Sequence, residues 1–213
     1  MLKIVLIVVA VLLLAGMGVV FMLVKGPDVS KYAYLQEPQI VNIPDRTVLE
    51  VSFNTSTDGL KEVFGFLFKN YFKIKGVPKL PWKIPPSLAR YHNSLDFDME
   101  ASKRKAAFKN TIWQGVAALP LPVNATIVPN LDHEKLAARI VTWEYGDMAE
   151  ILHIGAYEEE APTVQKLRAY IEKQGYEIVG SHEEVYLRGP GTPFCKPENY
   201  YTIIRYPVNR KQN

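Results

Sequence analysis

Two stretches of the chain repeat the same order of apolar and polar positions. In the first, residues Arg46 to Phe53 alternate in the manner of a strand, and a cluster of helix-capping residues follows at 56–59. Apolar residues then recur at helical spacing, and Gly76 is predicted to end this helix. The residues on its apolar face are Leu60, Val63, Phe64, Leu67 and Tyr71.

The second stretch follows the same plan about one hundred residues later. Residues 148–157 are predicted to form a strand. The acidic run at 158–160 and Pro162 suit the first turn of a helix, where acids meet the positive end of the dipole and proline lacks only an unused donor. Val164, Leu167 and Ile171 mark the apolar face of that helix, and Gly175 is predicted to end it.

Each half closes with two further predicted strands, at 94–99 and 112–119 in the first and at 182–187 and 200–208 in the second. The chain is therefore predicted to be an α+β protein of two pseudo-symmetric strand-helix-strand-strand units. These units form an antiparallel sheet with helices on one face. The other face is predicted to be covered by loops or left as a groove for a ligand. Residues 77–86, rich in proline, are predicted to form an irregular lid.

The N-terminal segment predicts a membrane anchor. Ile4 to Val24 carry no charge, and as a helix they would be about 31 Å long, close to the bilayer core of about 30 Å. This apolar run is longer than that of a cleaved signal peptide. We therefore predict a transmembrane helix over 1–25, a linker over 26–35 and a folded domain over 36–213. Lys3 slightly favours an extracytoplasmic domain.

Composition and motifs exclude several classes of function. The net charge is +3, and the tight basic cluster at 103–105 is predicted to be a solvated hairpin tip, so no nucleic acid partner is expected. Cys195 is the single cysteine, which excludes an internal disulfide. The four histidines lack metal-ligand spacing, and no phosphate or dinucleotide loop occurs, so no metal and no cofactor is predicted. Asp96, Asp98 and Glu100 are predicted to form a solvated strand edge.

An ordered set of short motifs runs through the second half. It consists of Ala149–Tyr157, Pro162-Thr163, Gly175-Tyr176, Glu184–Leu187, Pro197-Glu198 and Thr202–Val208. Over about 60 residues this set resembles the GyrI-like, or effector-binding, family. The chain departs from the family pattern at Ala156, where proline is usual, and in the insertion-like Gly189–Pro193.

The resemblance implies two pseudo-symmetric units with a ligand pocket between them. Members of the family are typically small-molecule binding modules, often attached to transcription regulators. Their ligands are lipophilic and often cationic, and they contact a glutamate and aromatic residues. One branch resembles hydrolases of electrophilic cyclopropane-containing compounds, and other members lie behind a membrane anchor and act as interaction modules.

The candidate site residues are Glu184, Tyr186, Tyr157 and Trp113. Glu184 and Tyr186 are two apart on a predicted strand, so they share a face, and Val185 and Leu187 are predicted to point toward the helices. Glu184 and Tyr186 would then lie on the uncovered face. The resemblance places Tyr157 at the pocket, and Trp113 is either an aromatic wall or ordinary core.

Three functions remain open from the sequence. The first is a membrane-anchored module that binds a small lipophilic, possibly cationic ligand, since a carboxylate among aromatic rings attracts such a cation. The second is a hydrolase in which Glu184, with a raised pKa, is the base and Tyr157 or Tyr186 assists. The third is a membrane-tethered module that binds a protein partner.

Overall fold

The computed structural model describes residues 28–125 and 136–212. The predicted transmembrane helix, Ile4 to Val24, lies outside these residues. No helix within the two described ranges is long and apolar enough to span a bilayer.

The described residues form a nine-stranded sheet and three α-helices. The strands are β1 (Gln39–Ile43), β2 (Arg46–Ser56), β3 (Ser87–Tyr91), β4 (Ile112–Pro120), β5 (Ala138–Trp143), β6 (Gly146–Ile154), β7 (Tyr176–Ile178), β8 (His182–Arg188) and β9 (Tyr201–Arg210). The helices are α1 (Leu60–Tyr71), α2 (Ala101–Asn110) and α3 (Ala161–Lys173). Short 3₁₀ helices lie at Ser30–Gln36, Pro81–Lys83, Tyr157–Glu159 and Pro197–Asn199.

The strand order shows the predicted internal symmetry. All pairings are antiparallel, in the order β1-β6-β9-β8-β3-β4-β2-β5, and β7 pairs with β9. Strands β2, β3 and β4 belong to the first unit, and β6, β8 and β9 belong to the second. The units join where β3 pairs with β8, with Ala89 opposite Glu184. The prediction of an α+β fold with an antiparallel sheet is confirmed.

Helices α1 and α3 cover one face of the sheet, as their apolar spacing predicts. Val63 and Leu67 of α1 pack in one core cluster with Val51 of β2. On the other side of the seam, a second cluster joins Val164, Leu167 and Ile171 of α3 to Ile151 and Ile204. Gly175 has a φ of +76° just after α3, a backbone conformation that favours glycine. Helix α1 ends at Tyr71, before Gly76.

The middle of the first unit differs from the prediction. Residues 94–99 form no strand and belong to the loop between β3 and α2, and the strand lies earlier, at β3. Residues 103–105 are part of α2 and not a hairpin tip. Arg104 is the one buried residue of α2, so this helix has no apolar stripe that a sequence pattern could reveal.

The prediction of which sheet face carries the helices at β8 was wrong. Glu184 pairs with Ile204, which packs against α3, and directly opposite residues share a face. Glu184 and Tyr186 therefore lie under the helices. Val185 and Leu187 lie on the opposite face, where Leu35 from the 3₁₀ helix at Ser30–Gln36 packs with them. The predicted linker, 26–35, thus contributes a fully buried leucine.

The opposite face also carries a row of charges that crosses the seam. Arg90 Nε lies 2.8 Å from Glu183 Oε2, and Arg205 Nε lies 2.8 Å from Glu150 Oε2. Arg205 Nη1 is 3.6 Å from the other oxygen of Glu183, and this contact connects the two ion pairs. Glu183 is fully buried, so its charge depends on both arginines.

Candidate ligand-binding site

The candidate site lies on the helix-covered face where the two units meet. Alternation along β8 places His182, Glu184 and Tyr186 on this face. Glu184 has 7% of its surface exposed. A carboxylate in such surroundings loses solvation and needs polar or charged partners.

A hydrogen-bonded chain orients the carboxylate of Glu184. His182 Nε2 lies 3.2 Å from Glu184 Oε1, and His182 Nδ1 lies 2.8 Å from the hydroxyl of Tyr206. The ring of Phe97 stacks on His182 at 6.0 Å between centroids. Both ring nitrogens of His182 are therefore engaged, and the ring is fixed between β9 and the loop that precedes α2.

Aromatic rings from both units surround this chain. The hydroxyls of Tyr186 and Tyr91 are 2.7 Å apart, which joins β8 to β3. Tyr157 meets the ring of Tyr186 edge-on at 5.6 Å, and Phe64 of α1 meets it at 5.5 Å. The charge of Glu184 acts on the phenols of Tyr91, Tyr157 and Tyr186, so these rings lie near its carboxylate. Its direct neighbours on the adjacent strands are Ala89 and Ile204.

Trp113 stands one layer behind these rings. It contacts Tyr91 at 5.4 Å between centroids, and its indole N–H donates to Thr57 Oγ1 at 3.0 Å. It is 7% exposed and belongs to the core of the first unit. The structure thus brings Glu184, Tyr186 and Tyr157 together, and it places Trp113 as a support for Tyr91.

Glu160 is a site residue that the sequence reasoning did not single out. It precedes α3, where the sequence pattern accounts for an acid by the helix dipole alone. Donor atoms of Glu160, His182 and Glu184 all lie within 4.8 Å of one another. Glu160 Oε2 is buried without a hydrogen-bond partner. His182 and Glu184 are hydrogen-bonded to each other, and Glu160 lies beside them, so we call these three residues the acid cluster.

Burial and mutual repulsion shift the pKa values in this cluster. Burial, followed by the charge of Glu184, raises the pKa of Glu160 to about 8. Burial lowers the pKa of His182, but the hydrogen bond to Glu184 and the charges of nearby carboxylates outweigh it, and the net shift is upward. Burial and then the charge of Glu184 raise the pKa of Tyr186 well above its usual value. The phenols are therefore neutral donors at pH 7.

The insertion-like segment at 189–193 borders the site through one close approach. A Cβ at Gly189 would lie 2.7 Å from the hydroxyl of Tyr157, closer than real Cβ atoms come to oxygen. Only a residue without a side chain lets the segment pass there with Tyr157 in this position. The departure from the family pattern thus forms part of the wall beside Tyr157.

His153 lies outside the acid cluster and has a structural role. Its Nε2 donates to the carbonyl of Ala156 at 3.1 Å, so Nδ1 accepts from the hydroxyl of Thr163 at 3.0 Å. Burial lowers its pKa, which favours the neutral ring. It ties β6 to the start of α3.

Residues 36–209 match the family of GyrI-like small-molecule binding domains. The chain belongs to this family. The match covers both structural units, whereas the motifs found in the sequence were concentrated in the second. No curated protein sequence matches the chain significantly.

Solved structures show the same fold at low sequence identity. An uncharacterized conserved protein from Listeria innocua is 21% identical with a TM-score of 0.65, over 86% of this chain and 100% of that chain. A hydrolase from Listeria innocua is 17% identical with a TM-score of 0.63 over the same shares. The C-terminal domain of EcmrR is 13% identical with a TM-score of 0.57, over 82% of this chain and 98% of that domain. EcmrR has also been solved in a DNA complex.

Proposed function

We propose that this GyrI-like domain binds a lipophilic organic cation against Glu184 on the helix-covered face of the sheet. The observation that carries the proposal is a carboxylate with 7% exposure whose charge acts on the phenols of Tyr91, Tyr157 and Tyr186, three rings that contact one another. The membership of the family supports small-molecule binding.

The charge of the site favours a cation over an anion. Glu160 and Glu184 contribute two carboxylates to the cluster, and His182 and Arg104 are the basic groups whose charges act on Glu160 there. A cation replaces lost hydration with carboxylate contacts and with the negative faces of aromatic rings, which contribute about 0.5–2 kcal/mol each where solvent is excluded. The rings also provide apolar area for a ligand that carries aromatic or alkyl groups.

A matched pair of ions tests whether the site prefers positive or negative charge in its ligand. Tetraphenylphosphonium and tetraphenylborate have almost the same size and shape but opposite charge. We expect saturable binding of the cation by the full-length protein, monitored by calorimetry, and none of the anion. Glu184→Gln is expected to weaken cation binding at least about tenfold, which is the loss of one 1.4 kcal/mol interaction. Glu172→Gln, at an exposed position of α3, is the matched control.

Equal binding of both ions, or unchanged cation binding by the Glu184→Gln variant, would contradict the proposal. Absence of saturable binding by the wild type would favour the third function, in which the domain binds a protein partner.

The pair formed by His182 and Glu184 favours hydrolysis as a second candidate. A hydrogen-bonded carboxylate and imidazole with neutral phenols nearby can accept and donate protons, as general acid-base catalysis requires. In this case Glu184 is the base and Tyr157 or Tyr186 assists. Product formation from electrophilic cyclopropane compounds, measured by mass spectrometry and lost in the Glu184→Gln variant, is expected. Turnover that survives the substitution rules this mechanism out.

We further propose that the domain is tethered to a membrane through residues 4–24 and faces the extracytoplasmic side. The uncharged sequence of this segment supports the proposal. Carbonate-resistant membrane fractionation of the full chain and of a chain that starts at Asp28 tests it. Equal recovery of both in the membrane fraction contradicts the anchor.

A further inference from the structure

We propose that Glu160 is the second carboxylate of the ligand site: it holds a proton beside Glu184 in the unliganded protein, and the bound cation displaces that proton. This inference rests on the proposed function, because it describes how that site accepts a charge. It predicts that each cation that binds releases a proton from the site.

The position of Glu160 supports a role in the site rather than in the helix. Glu160 is the residue before α3, yet its side chain makes no capping hydrogen bond. Its Oε2 is inaccessible to solvent and has no hydrogen-bond partner. A carboxylate oxygen in this state is costly, and a proton or an external cation removes the cost. The helix end therefore contributes a carboxylate with one oxygen that no donor of the described residues satisfies.

The groups that face Glu160 come from several elements. His182 and Glu184 face it from β8, and Arg104 faces it from α2. Three tyrosines also face it: Tyr91 of β3, Tyr206 of β9 and Tyr157 of the turn before α3. The tyrosines are neutral at pH 7. Arg104 Nη1 donates to the carbonyl of Met99 at 2.9 Å, so it is partly engaged by its own loop.

The charge balance follows from these neighbours. Two carboxylates whose oxygens approach within 4.8 Å, with one nearby arginine, retain a proton more readily than either would alone. Burial and Glu184 raise the pKa of Glu160 to about 8, which agrees with a proton held at neutral pH. An organic cation between the two carboxylates removes the repulsion. The proton then leaves to solvent, and the net charge of the site changes by the ligand charge minus one.

Proton release makes affinity depend on pH in a defined direction. Below pH 8 each cation that binds releases up to one proton, so Kd falls up to about tenfold for each unit by which pH rises. Above pH 8 the proton is already lost and the affinity levels off. A proton lost from His182 would also make cation binding stronger as pH rises. A variant of Glu160 is therefore needed to assign the released proton to Glu160.

The experiment is calorimetric titration of the full-length protein with tetraphenylphosphonium at pH 6.5, 7.5 and 8.5. Two buffers with different ionisation enthalpies at each pH give the number of protons released. For the wild type we expect close to one proton at pH 6.5 and few at pH 8.5, with Kd about tenfold lower at pH 7.5 than at pH 6.5. Glu160→Gln is expected to release almost no proton, and its Kd should change less than about twofold per pH unit. Glu172→Gln should behave as the wild type.

Two results would overturn the inference while the proposed function stands. One is saturable binding by the wild type without proton release at pH 6.5. The other is full proton release in the Glu160→Gln variant, which would assign the proton to His182 or another group. Failure of the wild type to bind the cation at any pH is different, because it removes the proposed function itself.

Discussion

Glu183 and Glu184 are adjacent in the sequence, but the structure gives them opposite tasks. Glu184 faces the proposed ligand site under the helices, and Glu183 lies in the charge row on the other face. Replacing each by glutamine changes one oxygen to nitrogen and removes one charge. We expect Glu183→Gln to destabilise the fold and leave cation binding intact. We expect Glu184→Gln to weaken cation binding and leave the stability of the fold nearly unchanged.

The contacts of Glu183 give the size of the effect. Its carboxylate lies 2.8 Å from Arg90 Nε and 3.6 Å from Arg205 Nη1, and the hydroxyl of Tyr145 donates to it at 3.3 Å. Arg205 is 7% exposed, and the substitution leaves it with Glu150 alone. Removing one member of a buried ion pair costs about 3–5 kcal/mol. Because Arg90 is partly exposed and stacks on Trp143 at 4.0 Å, the lower end of this range is expected.

Urea unfolding of both variants, followed by circular dichroism and tryptophan fluorescence, measures the free energies. The expected loss is about 3 kcal/mol for Glu183→Gln and less than about 1 kcal/mol for Glu184→Gln, while the cation Kd changes only in the second variant. A Glu183→Gln loss below about 1 kcal/mol would refute the reasoning about the charge row. Weaker cation binding by that variant at full stability would refute the assignment of the two faces.

Three further predictions concern the core, the wall of the site and pH. Leu67→Ala should cost about 2–5 kcal/mol in urea unfolding, because Leu67 is fully buried between α1 and the sheet; a cost below about 1 kcal/mol contradicts the packing. Gly189→Ala should weaken cation binding several-fold in calorimetry by displacing Tyr157, with a melting temperature close to that of the wild type; unchanged affinity contradicts the contact. The pKa of Glu160 is raised from 4.5 to about 8, so the folded state binds the extra proton between these values and stability falls as pH rises through this window. At 1.36 kcal/mol per unit the wild type should lose up to about 4 kcal/mol from pH 5 to pH 8, and Glu160→Gln should show a clearly flatter profile.

The sequence predicts those parts of the fold in which one face is apolar. Helices α1 and α3 show regular apolar spacing, and strands β2 and β9 are rich in β-branched and aromatic residues, so their positions follow from the pattern. Residues 94–99 alternate in the same way, yet they form a loop that Gln165 holds through the carbonyl of Phe97 and the carboxylate of Asp98, each at 2.9 Å. Tertiary contacts of this kind leave no local signal.

The face of β8 could not be read from alternation, because both of its faces are buried. Val185 and Leu187 are apolar, which favoured their placement under the helices, but the helices cover the polar set. Glu184, Tyr186 and Tyr157 were identified in spite of this error, since their identification depended on the family motifs. Glu160 carried no such signal: an acid before a helix is common, and only the fold brings it beside Glu184.

The most direct test of the account is a crystal structure of the full chain with bound tetraphenylphosphonium. We expect the cation on the helix-covered face, with the phosphorus close to the carboxylates of Glu184 and Glu160 and the phenyl groups against Tyr157 and Tyr186. A cation bound instead on the opposite face, beside Trp143, would contradict it.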